Sequence, residues 1–151
     1  MIGECELTGR KTTFDRDGRA VALLVSWDEY VAIRETLEIS NTPALIAAMR
    51  KSEAEAQRGD VRQAFEGGER VQLTRSVAHR LEKISDDRIT RALRSIEDDP
   101  IVGAPLFEPL RGLWTLREGT LRVIYRIVPD KQQVLILAIE ETAEIGKKLA
   151  E

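Results

Sequence analysis

Cysteine and histidine occur once each in the 151 residues, as Cys5 and His79. A lone thiol closes no internal disulfide, and one Cys with one His assembles no zinc site. No apolar run approaches the roughly 18 residues that a membrane span needs. The opening Met1-Ile2-Gly3-Glu4-Cys5-Glu6 is acidic, without the basic-then-apolar order of a secretory signal. The expected location is therefore a reducing cytoplasm, with no membrane partner, and no residue pattern calls for a metal or other cofactor. Repeats and low-complexity tracts are also missing. What remains, at 42% hydrophobic and 32% charged residues, is a chain able to fold as a globule.

Charge is unevenly spread. The net −3 resides in residues 1–68, with 9 basic and 12 acidic groups, whereas 69–151 carry 14 of each. Within the second half, 70–139 hold 12 basic against 9 acidic residues. An acidic front and a mildly basic back can bind each other, or the back can bind polyanions.

Arg19 to Val25 is a short apolar run after the turn signal Asp17-Gly18, and it reads as a strand. Ser26-Trp27-Asp28-Glu29 matches a capping box, and Tyr30, Ile33 and Leu37 follow at helical spacing. Thr42-Pro43 opens a second helix, which runs to Arg58 and stops at Gly59. Leu45, Ala48, Met49 and Ser52 give it only a narrow stripe, so it needs a partner surface to hold it. Residues 59–69 read as a joint, loosest at Gly67-Gly68, with Val61 and Phe65 its sizeable apolar groups.

After the joint the pattern restarts. Val71 to Thr74 is a short strand; Val77, Leu81 and Ile84 mark one helix, and Ile89, Leu93 and Ile96 another. Leu113 to Glu118, Leu121 to Val128 and Gln133 to Ile139 are strands, separated by Glu118-Gly119 and Pro129-Asp130. The order β-α-α-β-β-β predicts an α+β fold, two helices on an antiparallel sheet of about four strands. One strand and two helices precede it, with a boundary between 1–66 and 69–151.

Both halves resemble known families. Leu73-Thr74-Arg75-Ser76-Val77-Ala78, Glu108-Pro109-Leu110-Arg111-Gly112-Leu113-Trp114, Leu116-Arg117-Glu118-Gly119 and Leu121-Arg122-Val123-Ile124-Tyr125-Arg126-Ile127 resemble the RelE/ParE toxins over residues 70–144. Residues 13–60, with Arg16-Asp17-Gly18-Arg19 leading to Trp27-Asp28-Glu29-Tyr30 and then Pro43-Ala44-Leu45, are similar to Phd/YefM antitoxins. Such antitoxins usually begin with a longer DNA-binding segment, so operator binding is not expected of this chain. The toxins commonly end their last strand with His, Tyr, Lys or Arg; here Glu140-Glu141-Thr142 stand in that place.

The resemblance implies one polypeptide carrying a toxin and the neutralising part of its own antitoxin, a type II toxin–antitoxin fusion. Related toxins cleave mRNA in the ribosomal A site, where a ribose 2′-hydroxyl attacks the neighbouring phosphate. That step needs a base, cations for the crowded phosphate and an acid. Arg122 matches the arginine that relatives set against the scissile phosphate, and Arg117 is a second cation. Glu108, extended before a proline, is either the base or a solvated loop carboxylate. Arg111, Trp114 and Arg126 are candidate RNA contacts, although Trp114 beside Leu113 also suits the core. Glu140 and Glu141 are expected to be solvated. The alternative function is a catalytically inactive or ParE-like module binding a protein target such as gyrase.

Between the halves, Leu45, Met49, Val61 and Phe65 are the expected contacts. Glu53, Glu55, Asp60 and Glu66 are the acids expected to meet Arg117 or Arg122 across a flexible joint, with an effective concentration on the order of millimolar. Neutralisation is open between a fold-back in one chain and exchange between two. The strand Ala20 to Val25, apolar on both faces, invites pairing with a second copy, a homodimer.

Overall fold

A computed structural model of the chain describes residues 2–8 and 11–142. The C-terminal end of the expected toxin half, 143–151, lies outside the described residues. In chain order the elements are β1 (Ile2–Thr8), β2 (Lys11–Arg16), β3 (Arg19–Leu24), α1 (Trp27–Ser40), α2 (Pro43–Gln57), β4 (Val61–Gln63), β5 (Val71–Thr74), α3 (Arg75–Lys83), α4 (Asp87–Asp98), β6 (Ala104–Pro105), β7 (Leu113–Glu118), β8 (Leu121–Val128) and β9 (Gln133–Glu141). The α+β expectation holds, and the helices and strands of the second half fall where periodicity put them.

A six-stranded sheet, ordered β4-β5-β9-β8-β7-β6, is antiparallel except where β5 runs parallel to β9. Strand alternation gives it two apolar faces. Val123 and Tyr125 of β8, with Val134 and Ile136 of β9, pack beneath Val77 of α3 and Ile89, Leu93 and Ile96 of α4. Ile124, Leu135 and Leu137 point the other way and are covered by Ile39 of α1 and by Leu45 and Met49 of α2. The first half is thus the second helical layer on this sheet. Antiparallel pairing of β8 with β9 skips Leu137, which has no partner between Ile124↔Ala138 and Tyr125↔Ile136. This bulge lets Leu137 and Ala138 both join the α1–α2 core.

The loop before β6 is pressed onto the sheet. Gly103 donates its N–H to Tyr125 Oη at 3.1 Å, and Tyr125 Oη donates to the Pro100 carbonyl at 2.7 Å. A Cβ on Gly103 would stand 2.5 Å from the Thr115 carbonyl oxygen, so only glycine permits this approach. Burial pushes the Tyr125 hydroxyl up to about 12, the Gly103 hydrogen bond opposing it, so the phenol stays neutral.

Four expectations are corrected. First, β1 and β2 join β3 in a separate antiparallel sheet, so three described strands rather than one precede α1. The Asp17-Gly18 turn, with φ positive at both residues, closes the β2–β3 hairpin. Second, the joint is partly structured, because Val61–Gln63 pair with Thr74–Gln72 and cover the β5 edge. Third, the sheet has six strands instead of about four, the extra two being short edge strands that carry no period-2 signal. Fourth, the stripe Tyr30–Ile33–Leu37 does not face the core: Leu37 is 58% exposed and Tyr30 is exposed, while α1 buries Ala32, Glu35, Thr36 and Ile39. The reason for that inversion lies beneath α1.

Candidate functional site

Arg122 on β8 stands directly opposite Arg117 on β7 in the antiparallel register, and on its other side opposite Glu140 on β9. Two like charges at facing positions repel and destabilise a ladder. An anion between them removes that cost, and here α1 supplies two. Glu35 Oε1 accepts from Arg117 Nε at 2.6 Å, and Glu35 Oε2 is 2.6 Å from Arg122 Nη2. Glu38 Oε2 accepts from Arg117 Nη2 at 2.9 Å and also from Arg122 Nη2. Arg122 and Glu35 are sealed from solvent, with side chains 3% and 1% exposed. Charges this deep are tolerated only when paired with opposite charge, which is why α1 turns its carboxylates inward and leaves apolar residues outside.

The end of β9 completes the cluster. Glu140 Oε2 accepts from Arg122 Nη1 at 3.1 Å. Thr142 Oγ1 accepts from Arg117 Nη1 at 3.3 Å while donating to the Thr120 carbonyl at 2.6 Å. Glu141 points to the opposite face, where it pairs with Arg88 at 3.1 Å and accepts from the Thr120 hydroxyl. Arg88 is itself held by Asp86, and its hydrogen bonds keep the Asp86 carboxyl below its ordinary range. Glu140 is therefore held in the cluster rather than simply solvated, a further departure from the sequence reading, whereas Glu141 stays exposed while it pairs with Arg88. Among the described residues Arg122 Nε has no hydrogen-bond partner although it is buried.

Other sites expected from the sequence are distributed around this cluster. Arg126, on the same face as Arg122, forms a two-point pair with Glu53 of α2 at 2.8 and 2.9 Å. Glu108 and Arg111 pair with each other at 3.1 Å in the exposed loop before β7, and neither is among the groups holding Arg117 or Arg122. Trp114 lies on the opposite face of β7, packed on the α3–α4 core and stacked on Tyr125 with ring centroids 6.3 Å apart. Leu45 and Met49 are buried against Leu135 and Leu137 of β9, Phe65 is half-buried under the Arg94 guanidinium, and Val61 is exposed on β4.

Of the four acids expected at the arginines, none reaches Arg117 or Arg122. Glu53 goes to Arg126 and Asp60 to Arg75. Glu55 caps α3, accepting from Ser76 N at 2.9 Å and Ser76 Oγ at 2.7 Å. Burial pulls the Glu55 carboxyl up, but those two bonds, with Lys51 and Arg58 nearby, outweigh it and hold the group below the ordinary glutamate range. Glu66 is exposed on the joint. Sequence reasoning did not single out Glu35 and Glu38, because their role depends on two arginines 79 or more residues away that only the fold brings to them.

Residues 71–146, half of the chain, match the family described as the ParE toxin of the type II toxin–antitoxin system parDE. The chain belongs to this toxin family. The N-terminal region resembles an antitoxin: the chain is 38% identical over 58 residues to Antitoxin RelB of Mycobacterium tuberculosis, a match that spans 65% of that antitoxin's length and 38% of this chain. The toxin–antitoxin complex RelBE2 of Mycobacterium tuberculosis is 30% identical, with TM-score 0.42, over 49% of this chain and 98% of that one. The isolated RelE toxin of E. coli is 10% identical, with TM-score 0.46, over 54% and 94%. The chain thus carries a toxin domain of the ParE family over residues 71–146, together with a stretch similar to Antitoxin RelB. Among the described residues no helix is long and apolar enough to cross a membrane, and no group of three or more His, Cys, Asp or Glu is placed to hold a metal.

Proposed function

We propose that the chain is a toxin fused to the neutralising part of its own antitoxin, and that its second half is a latent endoribonuclease that cuts mRNA on the ribosome. One observation carries this reading: Arg117 and Arg122, facing each other on β7 and β8, are covered by Glu35 and Glu38 of the antitoxin-like half. Two carboxylates there do what a phosphodiester would do, satisfying two guanidinium forks at once. The fit is incomplete, since Arg122 Nε stays unpaired. An RNA phosphate can take the Nε–Nη2 edge with two oxygens. In the reaction, Arg122 and Arg117 stabilise charge building on the phosphate as the 2′-hydroxyl attacks. Glu108 is the base this reading assigns, with Arg111 beside it, and Arg126 contacts the backbone farther along β8. Trp114, on the other face, takes no part.

The first half is then read as the C-terminal part of a Phd/YefM-like antitoxin acting in cis, and the unpaired edge of exposed β3 as the place where two copies meet. In a translation reaction the parent chain leaves messages intact. The full-length E35A/E38A variant cuts them at ribosome-occupied codons, and adding R122A abolishes the cuts. An inert E35A/E38A variant, or cutting that survives R122A, overturns the reading. A second reading, a toxin that poisons a protein target such as gyrase, is favoured by the match to the ParE family. DNA-damage signalling from E35A/E38A without transcript cuts selects it.

A further inference from the structure

Each arginine of the pair has one anchor that belongs to the toxin half itself. Glu140 holds Arg122 by Nη1, and Thr142 holds Arg117 by Nη1. These anchors lie two residues apart at the end of β9, and that end is itself tied down. The Thr142 N–H and hydroxyl both reach the Thr120 carbonyl at 2.6 Å, and Glu141 between them is pinned by Arg88. With the Nη1 sides fixed, Arg117 presents Nε and Nη2 to the Glu35 and Glu38 carboxylates, and Arg122 presents Nη2 there. The buried Arg122 Nε is left over. Both forks therefore face the surface that α1 covers, for a reason independent of α1.

We infer that Glu140 and Thr142 are positioning residues: they keep the two guanidinium forks aimed at an incoming phosphodiester after α1 has let go. This rests on the RNA-binding reading above and adds what holds the site in shape once Glu35 and Glu38 are withdrawn. The row Glu140–Arg122–Arg117 across β9, β8 and β7 has charges −, + and +. Glu140 thus also offsets the repulsion between the facing arginines while leaving one net positive charge for the ligand. A bare arginine pair without these anchors would splay apart into solvent.

The test uses the full chain carrying E35A/E38A and a short labelled single-stranded RNA, titrated at several salt concentrations. This opened chain binds RNA and the parent does not. Adding E140A or T142V weakens binding about tenfold, the equivalent of one well-made charged hydrogen bond. It also flattens the dependence of log affinity on log salt by about 0.7, as one arginine leaves the phosphate. T142S, which keeps the hydroxyl, retains the affinity and slope of the opened chain, and E140Q, which keeps the hydrogen-bond acceptor without the charge, retains the slope. A residue needed only for folding would lower thermal stability and leave the salt slope unchanged. If E140A and T142V bind with the opened chain's affinity and slope, the positioning role is wrong while RNA binding stands. If the opened chain binds no better than its parent, both fall. Should E35A/E38A not fold by circular dichroism, E35Q/E38Q serves as the background, because it keeps the side-chain volume under α1 while removing both negative charges from the arginines.

Discussion

Helix α1 reaches the sheet with Glu35 and Glu38 on Arg117 and Arg122, backed by Ile39 and by Thr36, whose hydroxyl accepts from Phe107 N at 3.0 Å. Helix α2 reaches the same face with Leu45 and Met49, and bonds Thr74 and Ser76 through Ser52 and Glu55. The two helices divide one task. The grip of α2 is largely apolar, so no soluble anion competes with it. The grip of α1 consists mostly of carboxylates on guanidinium groups, which another anion can replace. A segment held this way can uncover the arginine pair at α1 while α2 stays on the sheet.

Breaking the α1 side should have the largest effect. Glu35→Ala strips a buried carboxylate from two arginines and should cost about 4 kcal/mol, within the usual cost of orphaning a buried charge. Chemical denaturation checks it, and a loss of less than about 1 kcal/mol would show that solvent already reaches the pair. On the α2 side, Leu45→Ala should cost about 3 kcal/mol through lost burial and the cavity left behind. Its cost, like that of the sealed Glu35, should respond little to salt, in contrast to the half-exposed Glu53 pair.

Acid should sharpen the comparison further. Glu55 has its carboxyl held below the ordinary range in the folded chain, so its clamp on α3 contributes stability at pH values above the unfolded carboxylate's titration. That contribution fades as pH falls through the lower, folded value. Glu55→Gln should therefore flatten the acid limb of stability against pH, and an unchanged limb would deny the clamp. The smallest effect belongs to the half-exposed Arg126–Glu53 pair. Glu53→Ala should cost about 0.5 kcal/mol and vanish in high salt.

Much of this architecture was legible in the sequence because the second half obeys simple periods. Val77, Ile89, Leu93 and Ile96 mark the outer helices, and β8 alternates Val123 and Tyr125 against Ile124 and Arg126. The narrow stripe on α2 correctly announced a helix seeking a surface. The α1 face could not be read the same way. Apolar spacing nominated Tyr30 and Leu37, yet burial of Glu35 follows from two arginines roughly 80 residues later in the chain, and no local pattern carries that pairing. Arg117 and Arg122 were recognisable as candidates, but their mutual opposition depends on the β7–β8 register. The role of β9's end was hidden for the same reason: Glu140 and Thr142 acquire meaning only as cross-strand neighbours of those arginines. Strands β4 and β6, three and two residues long, are too short to show any period.

The central claim is that Glu35 and Glu38 occupy the position of a phosphate. The most direct measurement follows the Arg122 Nε–H resonance by NMR while inorganic phosphate is added to the parent chain and to E35A/E38A. The account predicts a saturable shift in E35A/E38A and none in the parent, where the carboxylates keep phosphate out. Equal shifts in both proteins, or no shift in E35A/E38A, would contradict it.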